Sequence, residues 1–172
     1  MRTNPFRTAA VAASAAALML LASACGDDSE TTAAPQDGQA ATAGASSATV
    51  DGKALDAQFV TTCAKQGDIL ALALVDDANG TYGRLSVSAS VTGADTVQAV
   101  GIAGTQGGSS GTPYALGYGN GQPGGSAKLT KDGNTFTITG EGVGAPDLTD
   151  PLAGPSTATF EITFACAEIV GA

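Results

Sequence analysis

Gly83-Arg-Leu-Ser-Val-Ser-Ala-Ser-Val-Thr92 is the stretch whose reading decides the fold. Leu85, Val87, Ala89 and Val91 fall on one side of it, and Arg84, Ser86, Ser88 and Ser90 on the other. A period of two with one apolar face is the mark of a half-buried β-strand. Ala158-Thr-Phe-Glu-Ile-Thr-Phe-Ala-Cys166 repeats the pattern, with Phe160, Ile162 and Phe164 facing in and Thr159, Glu161 and Thr163 facing out. Six residues trail after it.

Outward from these two strands, turn residues cut the chain into short pieces. Asp51-Gly52 is a turn in Val50-Asp-Gly-Lys-Ala-Leu55, and 58–63 is a second strand. Residues 64–68 turn the chain into Ile69-Leu-Ala-Leu-Ala-Leu-Val75, an unbroken apolar run that fits one helical turn or a buried strand, and its length and flanking turn residues favour a buried central strand. Asp76-Asp-Ala-Asn-Gly80 reads as a loop. Residues 96–102 form a strand, and glycine-rich loops at 104–112 and 119–126 flank 113–118. Asp132-Gly133 between 126–130 and 135–140 signals a type I′ hairpin, because both central residues then take positive φ. Residues 141–156 carry Pro146, Pro151 and Pro155, which exclude an inner strand, so this stretch reads as a long loop. About eight short strands without a helical period predict an all-β domain: an antiparallel β-sandwich or curled half-barrel.

The N-terminus is different in kind. Arg2 and Arg7 precede an apolar run over 8–21, and Ala22-Ser-Ala-Cys25 follows. A charged segment, a short apolar segment and a small-residue cleavage site make a signal peptide. A site ending in cysteine is a bacterial lipobox, so residues 1–24 are removed and Cys25 carries lipid. Fourteen apolar residues fall short of the roughly 20 that span a bilayer. Residues 25–48 hold no large apolar side chain up to Ala48 and cannot offset their ordering entropy, so they form a tether. Thr31, Thr32, Thr42, Ser46 and Ser47 resemble an O-glycosylated stalk, and an unmodified linker fits equally. The β domain then covers 49–172.

Charge and composition exclude several functions. Without the leader, five Lys/Arg (Lys53, Lys65, Arg84, Lys128, Lys131) stand against all 16 Asp/Glu, a net charge of −11. Phosphate repels such a chain, which argues against nucleic acid as a partner. Anionic lipid repels it too, so membrane attachment has to be covalent. There is no histidine, hence no usual serine-triad base and no commonest metal ligand. Asp76-Asp77 with Asn79 lacks the regular spacing of a calcium loop and reads as a solvated turn. Glu141, Asp147 and Asp150 share one soft loop with nothing to fix a catalytic separation. The glycines of 117–121 lack a following Lys-Ser/Thr and open no helix, so they are loop residues rather than a phosphate cradle. No cofactor is implied. Tyr82, Tyr114 and Tyr118 lie in or beside glycine-rich segments, where tyrosines serve either as core or as contact surface.

Cys63 and Cys166 remain once Cys25 is assigned, an even pair in an exported protein. Both are read at strand ends. A bridge between them would close a loop of roughly 100 residues and contribute about 4.7 kcal/mol in the chain-entropy model. A two-ligand metal site and free thiols are the other readings.

Val50-Asp-Gly-Lys53, Thr61-Thr-Cys63, Leu129-Thr-Lys-Asp-Gly133, Phe136-Thr-Ile-Thr-Gly140 and Phe160-Glu-Ile-Thr-Phe-Ala-Cys166, in this order behind a lipobox and a low-complexity tether, resemble the LpqH family, the mycobacterial 19 kDa lipoprotein antigens. The resemblance covers essentially the mature chain. It implies a lipidated, surface-exposed and often glycosylated envelope protein, held at the outer face of the cell membrane, with a disulfide between Cys63 and Cys166. It implies stimulation of host Toll-like receptor 2, which maps onto the acyl groups of Cys25, and it brings no catalytic residues. The expected function is therefore a non-enzymatic, membrane-anchored surface antigen or interaction protein. The alternative is an extracytoplasmic carrier of lipid or another small molecule, which an apolar cavity above about 300 Å³ would mark.

Overall fold

A computed structural model describes residues 46–150, 152 and 154–172. The segments read as signal peptide and tether, with Cys25, lie outside the described residues up to residue 45. Ten strands follow one another: β1 (Ser47–Val50), β2 (Lys53–Ala54), β3 (Val60–Gln66), β4 (Ile69–Asn79), β5 (Gly83–Thr92), β6 (Thr96–Gly107), β7 (Pro113–Gly119), β8 (Ser126–Asp132), β9 (Thr135–Gly144) and β10 (Thr157–Ala165). They form one sheet in the order β2-β1-β10-β9-β7-β6-β5-β4-β3, with β8 branching from β9. All strand pairings are antiparallel. The sheet curls into a half-barrel, the second of the two predicted architectures, and the Cys63–Cys166 disulfide closes it.

β5 behaves as its pattern requires. Leu85, Val87, Ala89 and Val91 are buried, and Arg84 and Ser88 are exposed. Leu74 lies opposite Val87 on β4, and Ile102 opposite Val87 on β6. Such cross-strand apolar pairs contribute roughly 0.2–1 kcal/mol each beyond Ala–Ala. On the other side of the curl, Phe164 pairs with Phe136 and Ile162 with Ile138, all of them buried. The core is the concave side of the sheet, filled from both halves.

Four details depart from the sequence reading. β4 is the penultimate strand at one end of the sheet and is buried on one face only. Leu72 and Leu74 are buried, whereas Ile69 and Ala71 are exposed. The apolar run could not show this, because its outward residues are apolar too. Asp76 and Asp77 continue the strand through a bulge rather than leaving it. The hairpin at β8–β9 turns one residue later than expected: Asp132 pairs with Thr135, so Gly133 and Asn134 form the loop. Of these two only Gly133 has positive φ, +56°, which is the φ pattern of type II′ rather than I′. Finally, β9 runs on to Gly144, so the long loop spans only 145–156 and Glu141 is a strand residue.

Two local features hold the curl. In β6 a bulge at Gln98 shifts the register between Val97 and Val100, so both valines face inward although they are three residues apart. At the crossing of β9 and β10, Phe160 lies opposite Gly140, and a Cβ there would come within 2.8 Å of its Cζ. The glycine lets the ring lie on the strand itself.

The chain beyond Cys166 does not trail. Val170 forms a parallel bridge to Ala64, with Lys65 N–H donating to Val170 O at 2.7 Å and Val170 N–H to Cys63 O at 3.0 Å. This segment covers part of the outer edge of β3.

Candidate functional site: a tyrosine groove at the loop pole

The antiparallel order sorts the connections onto two poles. One pole holds tight turns: Gly67-Asp68, tied by Gly93 N–H to Asp68 O, and Gly133-Asn134, tied by Cys166 N–H to Asn134 O. Ser46 lies here as well. Its hydroxyl accepts from Ala165 N–H at 2.9 Å and shares a 2.7 Å hydrogen bond with Thr61 Oγ1. That hydroxyl is committed to the fold, which removes Ser46 from the stalk. Cys63 sits within β3, paired with Leu72, rather than at a strand end. Its Cα is 5.9 Å from that of Cys166, and both cysteines are buried.

The other pole collects the Asp51-Gly52 turn, the β4–β5 turn, the β6–β7 loop and the 145–156 loop. Between them lies a half-open groove of about 380 Å³. Its apolar surfaces come from Leu55, Tyr82, Pro113, Tyr114 and Leu116, and its polar ones from Asp51, Lys53, Ser109, Ser156 and Thr157.

Each side chain is placed by its own local structure. Asp51 and Gly52 both have positive φ, +48° and +71°, in a two-residue turn closed by the Val50–Lys53 pair. Asp51 Oδ1 accepts from Thr159 N–H at 2.8 Å and from its hydroxyl at 3.1 Å, so the turn is pinned to β10. Tyr82 follows the β4 bulge. The buried Asn79 holds that bulge: its Oδ1 accepts from Thr81 and Tyr82 N–H, and its Nδ2 donates to Asp56 O and to Asp76 Oδ2. The Tyr82 ring lies against the backbone of Gly107, where a Cβ would sit 2.7 Å from Cδ1. Tyr114 stands on β7 beside it. The ring centroids are 5.1 Å apart and the planes meet at 59°, forming a V-shaped trough. Burial, then Tyr82 and the Asp51 carboxylate, raise the pKa of the Tyr114 phenol, so it stays a protonated donor at neutral pH. Tyr118 is half-buried in a separate depression with Gln122 and Val143. All three tyrosines pack against the core with part of their surface outside it.

The carboxylates singled out by sequence serve local structure. Asp76 accepts from Gln58 N–H, Ala78 N–H and Asn79 Nδ2. Burial raises its pKa, but these three hydrogen bonds outweigh that effect and lower it. Asp147 accepts from the Thr149 N–H and hydroxyl, a turn within its own loop. Among the described residues no three His, Cys, Asp or Glu side chains gather into a metal-binding group. Sequence reasoning named the tyrosines but not their juxtaposition. Tyr82 and Tyr114 are 32 residues apart in sequence, and only the β4–β7 topology brings them together.

The fold is a disulfide-closed, all-β half-barrel with Tyr82 and Tyr114 paired at one pole. The family model for the Mycobacterium 19 kDa lipoprotein antigen matches residues 39–166, and the chain belongs to that family. A protein of Mycobacteroides abscessus with a provisional lipoprotein name is 38% identical over 120 residues, covering 68% of this chain and 72% of that one.

Proposed function

We propose that this protein is a cell-envelope lipoprotein held at the outer face of the membrane by acyl groups on Cys25, displaying its β domain for non-enzymatic recognition. The observation that carries this is the placement of Ala22-Ser-Ala-Cys25 behind a short apolar segment and ahead of a region that matches a lipoprotein antigen family. A single myristoyl-length chain holds a protein only marginally, so stable retention calls for at least two acyl chains at this cysteine. The acyl groups, not the groove, would be what Toll-like receptor 2 recognises. Cys25→Ser tests the anchor. The variant is expected in the soluble fraction, and its retention by membranes washed in high salt would refute the anchor.

The carrier reading has one observation in its favour, the groove volume, which exceeds the 300 Å³ at which ligand pockets begin. The polar lining supports a ligand other than an acyl chain. Asp51, Lys53, Ser109 and Ser156 border a groove open to water, where a buried hydrocarbon would gain little and the polar groups would lose hydration.

A further inference from the structure

The groove carries one charge of each sign, Asp51 and Lys53, so it favours neither an anion nor a cation. Its other groups are of two kinds. Two aromatic faces and the side chains of Leu55 and Pro113 present apolar surface. Hydroxyls, phenols and the Asp51 carboxylate, which borders the groove, supply hydrogen-bonding groups around it. The matching ligand is neutral, has an apolar face wide enough to lie on a ring, and carries hydroxyls along its edge. A pyranose sugar has that form: axial C–H bonds give it an apolar face, and equatorial hydroxyls give it a polar rim. We propose that the groove binds a neutral saccharide, stacked on Tyr114 and Tyr82 and hydrogen-bonded by Asp51, Ser109 and Ser156.

The geometry of the trough fits this class better than an extended peptide. A polyproline-type segment docks on parallel aromatic ridges with its backbone exposed, whereas here the two rings meet at 59° and face a polar rim. The groove is half-open, so a saccharide end or branch can enter while the remainder of the glycan stays in solvent. Its position opposite Ser46 puts it on the pole away from the point where the preceding chain joins the domain. This inference deepens the recognition reading of the domain and does not depend on the anchor.

The test uses the full mature chain in detergent, titrated with maltotriose, mannotriose, cellotriose and chitotriose, and with decaproline for comparison. The chain has no tryptophan, and two of its three tyrosines line the groove, so tyrosine emission, compared with that of Tyr118→Phe, reports binding there. Saturation-transfer NMR gives an independent readout. At least one saccharide is expected to bind. Tyr114→Leu, which keeps apolar bulk but removes the ring, should weaken that binding tenfold or more, while Tyr114→Phe should retain most of it. Tyr118→Phe, outside the groove, should bind as the parent does. No binding by any of the four sugars, binding unchanged in a folded Tyr114→Leu variant, or binding of decaproline alone would each overturn the proposal. Release of the Cys25→Ser variant from membranes is a separate measurement, so failure of one reading leaves the other standing.

Discussion

Replacing both Cys63 and Cys166 with alanine tests what closes the half-barrel. The bridge spans 103 residues of sequence and joins β3, at one end of the sheet, to the residue after β10, near the other end. Cross-linking a loop of that length removes about 16 cal/mol/K of unfolded-state entropy, or about 4.7 kcal/mol at 25 °C. The two sulfurs are also buried, so their loss adds a small cavity cost. Against a total stability of about 5–15 kcal/mol, the variant keeps between little and two-thirds of what the parent has. In melting temperature this is a fall of roughly 15–25 °C. The assay is guanidinium unfolding followed by circular dichroism, parent against variant. The midpoint should fall, and the m-value should rise because the unfolded chain is no longer held together at two points. The folded spectrum should change little, since the Lys65–Val170, Val170–Cys63 and Cys166–Asn134 backbone bonds hold the same seam. A loss below about 1 kcal/mol with an unchanged m-value would show that the seam is closed by packing and hydrogen bonds, and that the loop-entropy reasoning is wrong here.

Phe164→Ala removes a fully buried ring paired with Phe136, and is expected to cost about 3–5 kcal/mol in the same unfolding assay. Gly140→Ala drives a methyl into the backbone carbonyl of Ser126, with Phe160 Cζ at 2.8 Å and Ala127 Cα at 3.0 Å, and should cost about 3 kcal/mol by overpacking; pairing it with Phe160→Leu should recover little, because the tightest contact is with backbone. Asp76 has a folded pKa below the ordinary aspartate value of 3.8, so its stabilising effect is present above that value and is lost as the pH falls through the lower folded one. Comparing parent with Asp76→Ala, the stability gap should be constant from pH 7 to pH 5 and shrink below pH 3.8; a gap independent of pH down to acid would refute the assignment.

The fold was legible wherever polarity alternates, and obscure where both faces of a strand are apolar or a turn has two solutions. β5 and β10 announced their inward faces because serine, threonine and glutamate alternate with Leu85, Val87, Phe160 and Phe164. β4 hid its outward face behind Ile69, Ala71 and Ala73, so a strand near the sheet edge read as a central one. The β8–β9 turn could be built on Asp132-Gly133 or on Gly133-Asn134. The choice was made by the core, because Leu129 has to stand opposite Ile138 on the buried side, and a slip of one residue would turn it outward. The disulfide came from the family resemblance and from cysteine parity, not from any visible proximity of Cys63 and Cys166. The groove was the least legible feature. Its tyrosines were conspicuous, but their convergence depends on a ten-stranded order that no local pattern contains.

The same strand order blunts the two ends of the sheet and leaves the loop pole open. The sheet ends on β2 and β3, with a further edge along the β8 branch, and an exposed edge offers unpaired backbone groups to any passing strand. Here β2 ends one edge after only two residues, both exposed, which is too short to template a partner. β3 ends the other edge, and Val170 occupies the backbone groups of Cys63 and Lys65 along it. The disulfide fixes that tail from Cys166 onward, so the bond that closes the half-barrel also keeps the β3 edge covered. Tight turns, tail and disulfide share one pole and serve stability. The β6–β7 and 145–156 loops and the Tyr82–Tyr114 trough share the other, where side chains can vary with little effect on the seam. Substitutions in the groove and at the disulfide have no common partners, so their effects on stability should add within about 0.5 kcal/mol, and a measured coupling well above that would show that the two poles are not independent.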